Sequence, residues 1–180
     1  MMKRMIVVCL FLTAAAGMLF ANGEQEVVMG EGANGGYSFE IGEMTVEYTI
    51  AEEQIEITLA APTEGWIAIG FEPSSVMKDA NIIIGAVENG TLTVEDHFGT
   101  STFVHKPDTD IGGSRDVTGM SGSEADGSTT LSFSIPLDSG DSYDTVLHSG
   151  DSVKVILAYA NKDAFRTKHS YRTSAEITLE

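Results

Sequence analysis

One methionine and one histidine lie in loops that follow apolar stretches of the sequence. Met77 comes after the apolar stretch Gly65–Phe71 and just before a second one, Ile82–Gly85. His169 lies far downstream, beyond another apolar stretch, Val153–Ala160. A thioether sulfur and an imidazole nitrogen can bind a haem iron from its two sides, and this ligand pair is typical of electron carriers. Whether the two side chains face each other depends on the fold.

A local cluster of basic side chains surrounds the histidine. Arg166, Lys168 and Arg172 lie within three residues of His169, in a chain that has 27 acidic and only 10 basic residues. Such a cluster can neutralise the two propionates of a haem through charge-assisted hydrogen bonds. The alternative is that it pairs with carboxylates of the protein itself.

The three other histidines are competing metal ligands. His97 follows Glu95 and Asp96 at the end of a predicted strand, and His105 comes eight residues later, whereas His148 is isolated. A site made of two histidines, or of a histidine and a carboxylate, is therefore a second hypothesis. The spacing matches none of the compact ligand motifs of zinc sites.

A short acidic stretch begins like a calcium-binding loop. Asp108, Asp110 and Gly112 occupy the first, third and fifth positions of such a loop. The twelfth position, which needs a glutamate in an EF-hand, holds Gly119. The sequence therefore predicts no EF-hand and leaves an irregular calcium site as an open alternative.

The N-terminus has the order of segments that is typical of a secretory signal. Lys3 and Arg4 precede an apolar stretch, Met5–Ala21, and the chain turns polar at Asn22. The apolar stretch is shorter than the roughly 20 residues that a membrane-spanning helix needs. We predict a signal peptide over residues 1–23 and a periplasmic or extracellular protein; an uncleaved membrane anchor is the alternative.

The single cysteine, Cys9, lies inside this predicted signal. The exported part would therefore contain no disulfide, no thiolate-bound metal and no haem attached covalently through cysteine. A haem in this protein would be a non-covalent haem b.

The charge and the motifs narrow the class of function. The net charge of −17 would become −19 on loss of Lys3 and Arg4 with the signal, which disfavours nucleic acid and anionic membranes as partners. The acidic net charge favours a partner with a basic docking surface, or it serves solubility alone.

The sequence contains no nucleophile motif, phosphate-binding glycine loop or zinc-protease motif, so no catalytic role is predicted.

Alternation of apolar and polar residues with a period of two predicts an all-β fold. About nine short strands separated by turn residues favour a two-sheet antiparallel, immunoglobulin-like β-sandwich over residues 37–180, preceded by a flexible linker over residues 24–36. A Gly-, Ser- and Asp-rich region, Lys106–Ser128, interrupts the pattern, and Tyr143–His148 is the one candidate for a helical turn. The predicted strands are 44–50, 55–59, 66–71, 81–87, 91–97, 129–135, 153–160 and 175–179.

Over residues 37–180 the sequence resembles the DOMON domain, a sandwich module of extracellular haem- and sugar-binding proteins. The order and spacing of several segments support the resemblance. These segments are Gly65–Phe71, Met77–Asn81 leading to Ile84–Gly85, Val94–Asp96, Asp126–Asp138, and Ala158–Ala160 followed by His169. One departure is Ser134–Ile135, where the family often has an arginine before its Pro-Leu-Asp segment.

The resemblance implies a cofactor and a ligand pair. In haem-binding members, similar to the cytochrome domain of cellobiose dehydrogenase, the iron is held by a methionine of the first block and a histidine of the last. Those positions fall on Met77 and His169, with Trp66 and the basic residues Arg166, Lys168 and Arg172 expected around the haem. The implied function is an exported b-type cytochrome that carries single electrons to or from a redox partner protein.

Two other functions stay open. The first is a non-redox DOMON module that recognises carbohydrate or a partner protein through aromatic side chains such as Trp66, Phe71, Phe98 and Tyr159. The second is a subunit of an exported redox complex. If the cytochrome hypothesis holds, the sulfur of Met77 and a ring nitrogen of His169 should lie about 4 to 5 Å apart, with an apolar pocket between them.

Overall fold

The computed structural model describes residues 27–32 and 35–180. In these residues the chain forms twelve β-strands and one short 3-10 helix, Asp108–Asp110. The strands are β1 Val27–Glu31, β2 Tyr37–Ile41, β3 Met44–Ala51, β4 Gln54–Ala61, β5 Ile67–Phe71, β6 Asn81–Glu88, β7 Thr91–Ser101, β8 Val104–Pro107, β9 Thr118–Ala125, β10 Ser128–Pro136, β11 Ser152–Tyr159 and β12 Tyr171–Thr178.

The strands form two six-stranded antiparallel sheets, which confirms the predicted two-sheet sandwich. Sheet A has the order β1-β2-β3-β4-β10-β9, and sheet B has the order β12-β11-β5-β6-β7-β8. Three connections pass from one sheet to the other, at residues 62–66, 108–117 and 137–151. The last two connections are the long ones, and both contain several aspartates.

The main hydrophobic core lies between the sheets. Buried residues alternate with less buried ones along β4, β10 and β11, because successive side chains of a strand point to opposite faces. The largest fully buried side chains include Phe39, Phe71 and Phe133.

Strands β5 and β6 are buried on both faces. All five residues of β5 and the first seven of β6 are buried, in agreement with the continuous apolar sequences of both strands. The main core covers one face of these strands. Their outer face must therefore be covered by other parts of the chain.

Two hairpin turns have the backbone conformation that their residues favour. Asn89 and Gly90, which join β6 to β7, both have positive φ, 52° and 77°, as a type I′ turn requires. Glu52, in the turn between β3 and β4, also has a positive φ of 52°.

The sequence patterns missed several elements. The predicted linker was wrong over Val27–Glu31, which pairs with β2 as β1, and β2 itself was not predicted. The Gly-rich region contains the second half of β8, the 3-10 helix and β9; the small polar residues of β9 give no apolar alternation. The predicted helical turn over Tyr143–His148 does not form; this segment consists of turns and irregular backbone held by Asp141.

The predicted signal peptide, residues 1–23, and Cys9 lie outside the described residues. Within the residues that the structure describes, no helix has the length and apolar character to cross a membrane.

Two phenylalanines test the position of the core. Phe133 is 2% exposed between the sheets, whereas Phe103 is 75% exposed at the turn between β7 and β8. We expect Phe133→Ala to lower the free energy of unfolding by about 3–5 kcal/mol, measured by urea denaturation. The matched control Phe103→Ala should change it by no more than about 0.5 kcal/mol. Equal losses in both variants would contradict the described packing.

Candidate functional site

A second apolar cluster lies on the outer face of sheet B. Two small residues, Ala68 on β5 and Ala158 on β11, lie opposite each other at its centre. On the other side of Ala68 lies Ile84 of β6. Gly70 lies between Ile156 and Ile82 in the next row. These residues make a flat apolar surface, which we call the outer face. The buried members of its cluster are Trp66, Ala68, Ala80, Ile82, Ile84, Ala86 and Ala160.

Met77 packs against the outer face from the loop between β5 and β6. The side chain is half-buried against the second cluster. The loop is held to β7 by two hydrogen bonds: the Asp79 N–H donates to the Gly99 carbonyl at 2.7 Å, and the Gly99 N–H donates to the Ala80 carbonyl at 2.9 Å. A Cβ on Gly99 would overlap the carbonyl oxygen of Met77. Only glycine at this position allows the loop to lie so close to β7.

His169 lies in the loop between β11 and β12, which Trp66 holds in place. The Trp66 N–H donates to the Lys162 carbonyl at 3.2 Å, and the indole Nε1–H donates to the Thr167 carbonyl at 3.2 Å. Phe165, in the middle of the loop, packs against the second cluster. Trp66 is therefore a positioning residue for the loop as well as part of the apolar cluster.

The two loops approach the outer face from opposite ends of β5. The Met77 loop follows Phe71, the last residue of β5, while the His169 loop is hydrogen-bonded to Trp66, just before its first residue. Met77 and Phe165 both pack against the same cluster. The fold thus brings the two predicted ligand loops to one apolar surface. The predicted separation of 4 to 5 Å between their ligand atoms stays a prediction.

The surroundings of His169 are basic and partly apolar. Burial, followed by the positive charges of Arg172 and Lys168, lowers the pKa of this half-buried imidazole. Its neutral form, which is the metal-binding form, is thereby favoured. Arg172 is exposed and lies opposite Ala158 in the sheet, so its side chain leaves from the edge of the outer face. Arg166 and Lys168 are exposed on the loop itself.

The histidines of the competing hypothesis also meet. The Nδ1 atoms of His97 and His105 are 2.8 Å apart, and Nε2 of His97 is 2.8 Å from a carboxylate oxygen of Glu95. A hydrogen bond between the two Nδ1 atoms requires one of them to donate and the other to accept. Burial, then the neighbouring His97, lowers the pKa of His105 to about 4. Each ring of this pair is therefore already engaged in a hydrogen bond.

The remaining candidates lie apart from the outer face. His148 is exposed, in the 137–151 connection. Among the aromatic residues of the binding-module hypothesis, Phe71 and Tyr159 belong to the main core, and Tyr159 donates a hydrogen bond to Glu43 at 2.6 Å. Phe98 packs edge-on against Tyr143, with ring centroids 5.2 Å apart. These three rings have structural partners and do not form an exposed aromatic platform.

Sequence reasoning missed two residues that shape the site. Gly99 was not singled out, although a glycine within a strand pattern is a known sign of close backbone approach. Phe165 gave no signal, because an isolated aromatic residue in a polar loop does not reveal which face it will cover.

Comparisons with known proteins agree with this architecture. The model of the DOMON domain family matches residues 40–160, a range that includes Met77 and ends before His169. The human DBH-like monooxygenase protein 1 is 28% identical over 121 residues; the match covers 67% of this chain and 19% of that protein, so the chain spans about a fifth of its length.

A solved structure has a similar fold. The cytochrome b domain of pyranose dehydrogenase from Coprinopsis cinerea superposes with a TM-score of 0.59, covering 92% of this chain and 88% of that one. At 11% identity, this similarity establishes the fold alone.

The contact between Gly99 and the Met77 loop can be tested directly. Gly99→Ala should force the loop away from β7 and lower the free energy of unfolding by about 1–3 kcal/mol. Hydrogen exchange at the Asp79 and Gly99 amides should become faster, because their two hydrogen bonds break. Ser101→Ala, on an exposed position of the same strand, is the control and should change stability by at most about 0.5 kcal/mol. Unchanged exchange in Gly99→Ala would contradict the described contact.

The low pKa of His105 predicts a pH-dependent stability. In the unfolded chain this residue binds a proton near pH 6.5, but in the folded protein only near pH 4. Its contribution to stability is therefore complete above pH 6.5 and is lost as the pH falls towards 4. Urea denaturation at pH 7.5 and pH 5.0 measures this loss. The free energy of unfolding should fall less from the higher to the lower pH in His105→Gln than in the wild type. His148→Gln, at an exposed position, should behave like the wild type; an equal loss in all three proteins would refute the prediction.

Proposed function

The chain belongs to the DOMON domain family, and on that premise we propose that it is a b-type cytochrome domain that carries single electrons. Met77 and His169 are the proposed axial ligands of a non-covalent haem b. One observation above all supports this proposal: the loops that contain these two residues reach the same apolar face from opposite ends of β5. The similarity in fold to a cytochrome b domain agrees with it.

The outer face offers an apolar surface to the edge of a haem ring. Ala68 and Ala158, at its centre, have small side chains, and Gly70 beside them is covered by Ile156 and Ile82. The larger side chains of Ile82 and Ile84 continue this surface on β6. Because the only cysteine, Cys9, lies in the predicted signal, the attachment would be non-covalent.

The two proposed ligands determine what the site does. A bound haem b supplies a one-electron couple. Met77 and His169 together would fill both axial positions, so the site would have no open position for oxygen or peroxide. A methionine ligand also raises the reduction potential relative to a pair of histidines. The proposed role is therefore electron transfer without chemistry on a substrate.

The basic side chains would hold the propionates of the cofactor. Arg166, Lys168 and Arg172 are exposed on or beside the His169 loop. Arg172 leaves the sheet next to Ala158, at the edge of the outer face. Their charges would stabilise two carboxylates through charge-assisted hydrogen bonds at the solvent edge of the site.

The proposed partner is a redox protein with a basic docking surface. The net charge of −17 favours such a partner and steers association over long range. Export by the predicted signal peptide, residues 1–23, belongs to the same proposal. In a redox complex, this domain would be the electron-transfer module rather than the catalytic one.

Ligand variants test the proposal. When the purified protein is reconstituted with haem, the wild type should give the spectrum of a six-coordinate, low-spin b-type cytochrome. His169→Ala should lose tight haem binding, because imidazole is the stronger ligand. Met77→Ala should retain part of the haem, become five-coordinate and show a lower reduction potential.

Two exposed residues of the same types serve as controls. Met29→Ala and His148→Ala should leave both the spectrum and the potential unchanged, since neither residue lies in the two loops. Absence of haem uptake by the wild type, or a six-coordinate spectrum in Met77→Ala, would overturn the proposal. The first of these results would favour the non-redox binding module.

A further inference from the structure

A group of aspartates lies where the two long connections between the sheets meet. Asp96 is on β7, Asp116 lies just before β9 in the 108–117 connection, and Asp144 lies in the 137–151 connection. One carboxylate oxygen from each lies within 4.8 Å of those from the other two. Three separate parts of the chain thus direct carboxylates to one point.

Several of these carboxylate oxygens are buried without a partner. Asp96 is 4% exposed; its Oδ2 accepts a hydrogen bond from the Asp116 N–H at 3.0 Å, while its Oδ1 has no partner. Asp144 accepts a hydrogen bond from Ser139 through Oδ2 at 2.6 Å, and its Oδ1 is also buried and unpaired. A buried oxygen without a partner destabilises the folded protein, because it loses its hydrogen bonds to water and no donor of the protein replaces them.

Asp108 adds a fourth carboxylate beside this group. The residue is 1% exposed, and neither of its carboxylate oxygens has a hydrogen-bond partner. Asp96 and Asp144 lie close enough for their charges to act on it, as do Asp141 and Asp116. A carboxylate buried to this extent destabilises the fold unless a proton or a cation neutralises it.

The described part of the chain offers no basic side chain that neutralises the cluster. No lysine or arginine there forms an ion pair with Asp96, Asp108, Asp116 or Asp144. The nearby Arg115 donates instead to the Val94 carbonyl at 2.9 Å. The buried oxygens of Asp96 and Asp108 that lack a hydrogen-bond donor are therefore also left without a basic side chain beside them.

We propose that Asp96, Asp116 and Asp144, supported by Asp108, bind a calcium ion that ties the two long connections to β7. The donors are all oxygens, the ligand type that calcium prefers. Two oxygens that both bind calcium at about 2.3–2.6 Å are at most about 5 Å apart, so a group within 4.8 Å can share one ion. Magnesium, with bonds of about 2.1 Å, would require the oxygens to move closer together.

This site differs from the calcium loop considered from the sequence. Asp108 and Asp116 belong to that stretch and contribute, whereas Asp110 is exposed to solvent. The other two donors, Asp96 on β7 and Asp144, lie outside it. The site belongs to the fold between the sheets and does not depend on the proposed haem.

Calcium binding can be tested by thermal unfolding and calorimetry on the purified, calcium-depleted protein. At a concentration 100-fold above its dissociation constant, calcium chloride should raise the Tm by about 5–10 °C. The isosteric variants Asp96→Asn and Asp144→Asn should bind calcium at least about tenfold more weakly and lose this shift. Without calcium they should be as stable as the wild type or more stable, since each removes a repulsive buried charge.

Asp110→Asn is the matched control, because it removes an exposed carboxylate next to Asp108. It should respond to calcium like the wild type. The proposal is overturned if calcium leaves the Tm of the wild type unchanged, or if both Asp96→Asn and Asp144→Asn keep the full shift. An equal shift with magnesium chloride would overturn the assignment of calcium.

Discussion

The burial of β5 and β6 on both faces is the constraint on which the rest of the structure depends. A sandwich covers only the inner face of each sheet, so the apolar outer face of these two strands would be left in water. The Met77 loop and the His169 loop cover it from opposite ends. Their positions therefore follow from the need to bury hydrophobic surface, and the proposed ligands are placed as a consequence.

The loops can take these positions because specific backbone contacts hold them. Gly99 lets the Met77 loop lie against β7, and Trp66 holds the His169 loop through its backbone and its indole. Gly99 lies on β7 and Trp66 directly precedes β5, so both anchors tie the loops to sheet B. The aspartate cluster lies elsewhere, beside β7 where the 108–117 and 137–151 connections meet, and would stabilise the sandwich without contributing to electron transfer.

Much of the fold could be predicted from sequence, because alternation and turn residues report directly on half-buried strands. The hairpin at Asn89–Gly90 and the continuous apolar sequence of β6 are examples. β9 could not be predicted, since its eight residues are mostly exposed and small. Met77 and His169 could be identified as candidates, but their approach to one face depends on pairing between strands far apart in sequence. The aspartate cluster was hidden for the same reason.

We propose that Met77 and His169 hold one haem between them on the outer face of sheet B. A crystal structure of the haem-loaded protein tests it most directly. Iron should be bonded to Met77 Sδ and to a ring nitrogen of His169, each at about 2 Å, with an edge of the ring against Ala68 and Ala158. Iron bound by other side chains, such as His97, or a haem located away from sheet B, would contradict it.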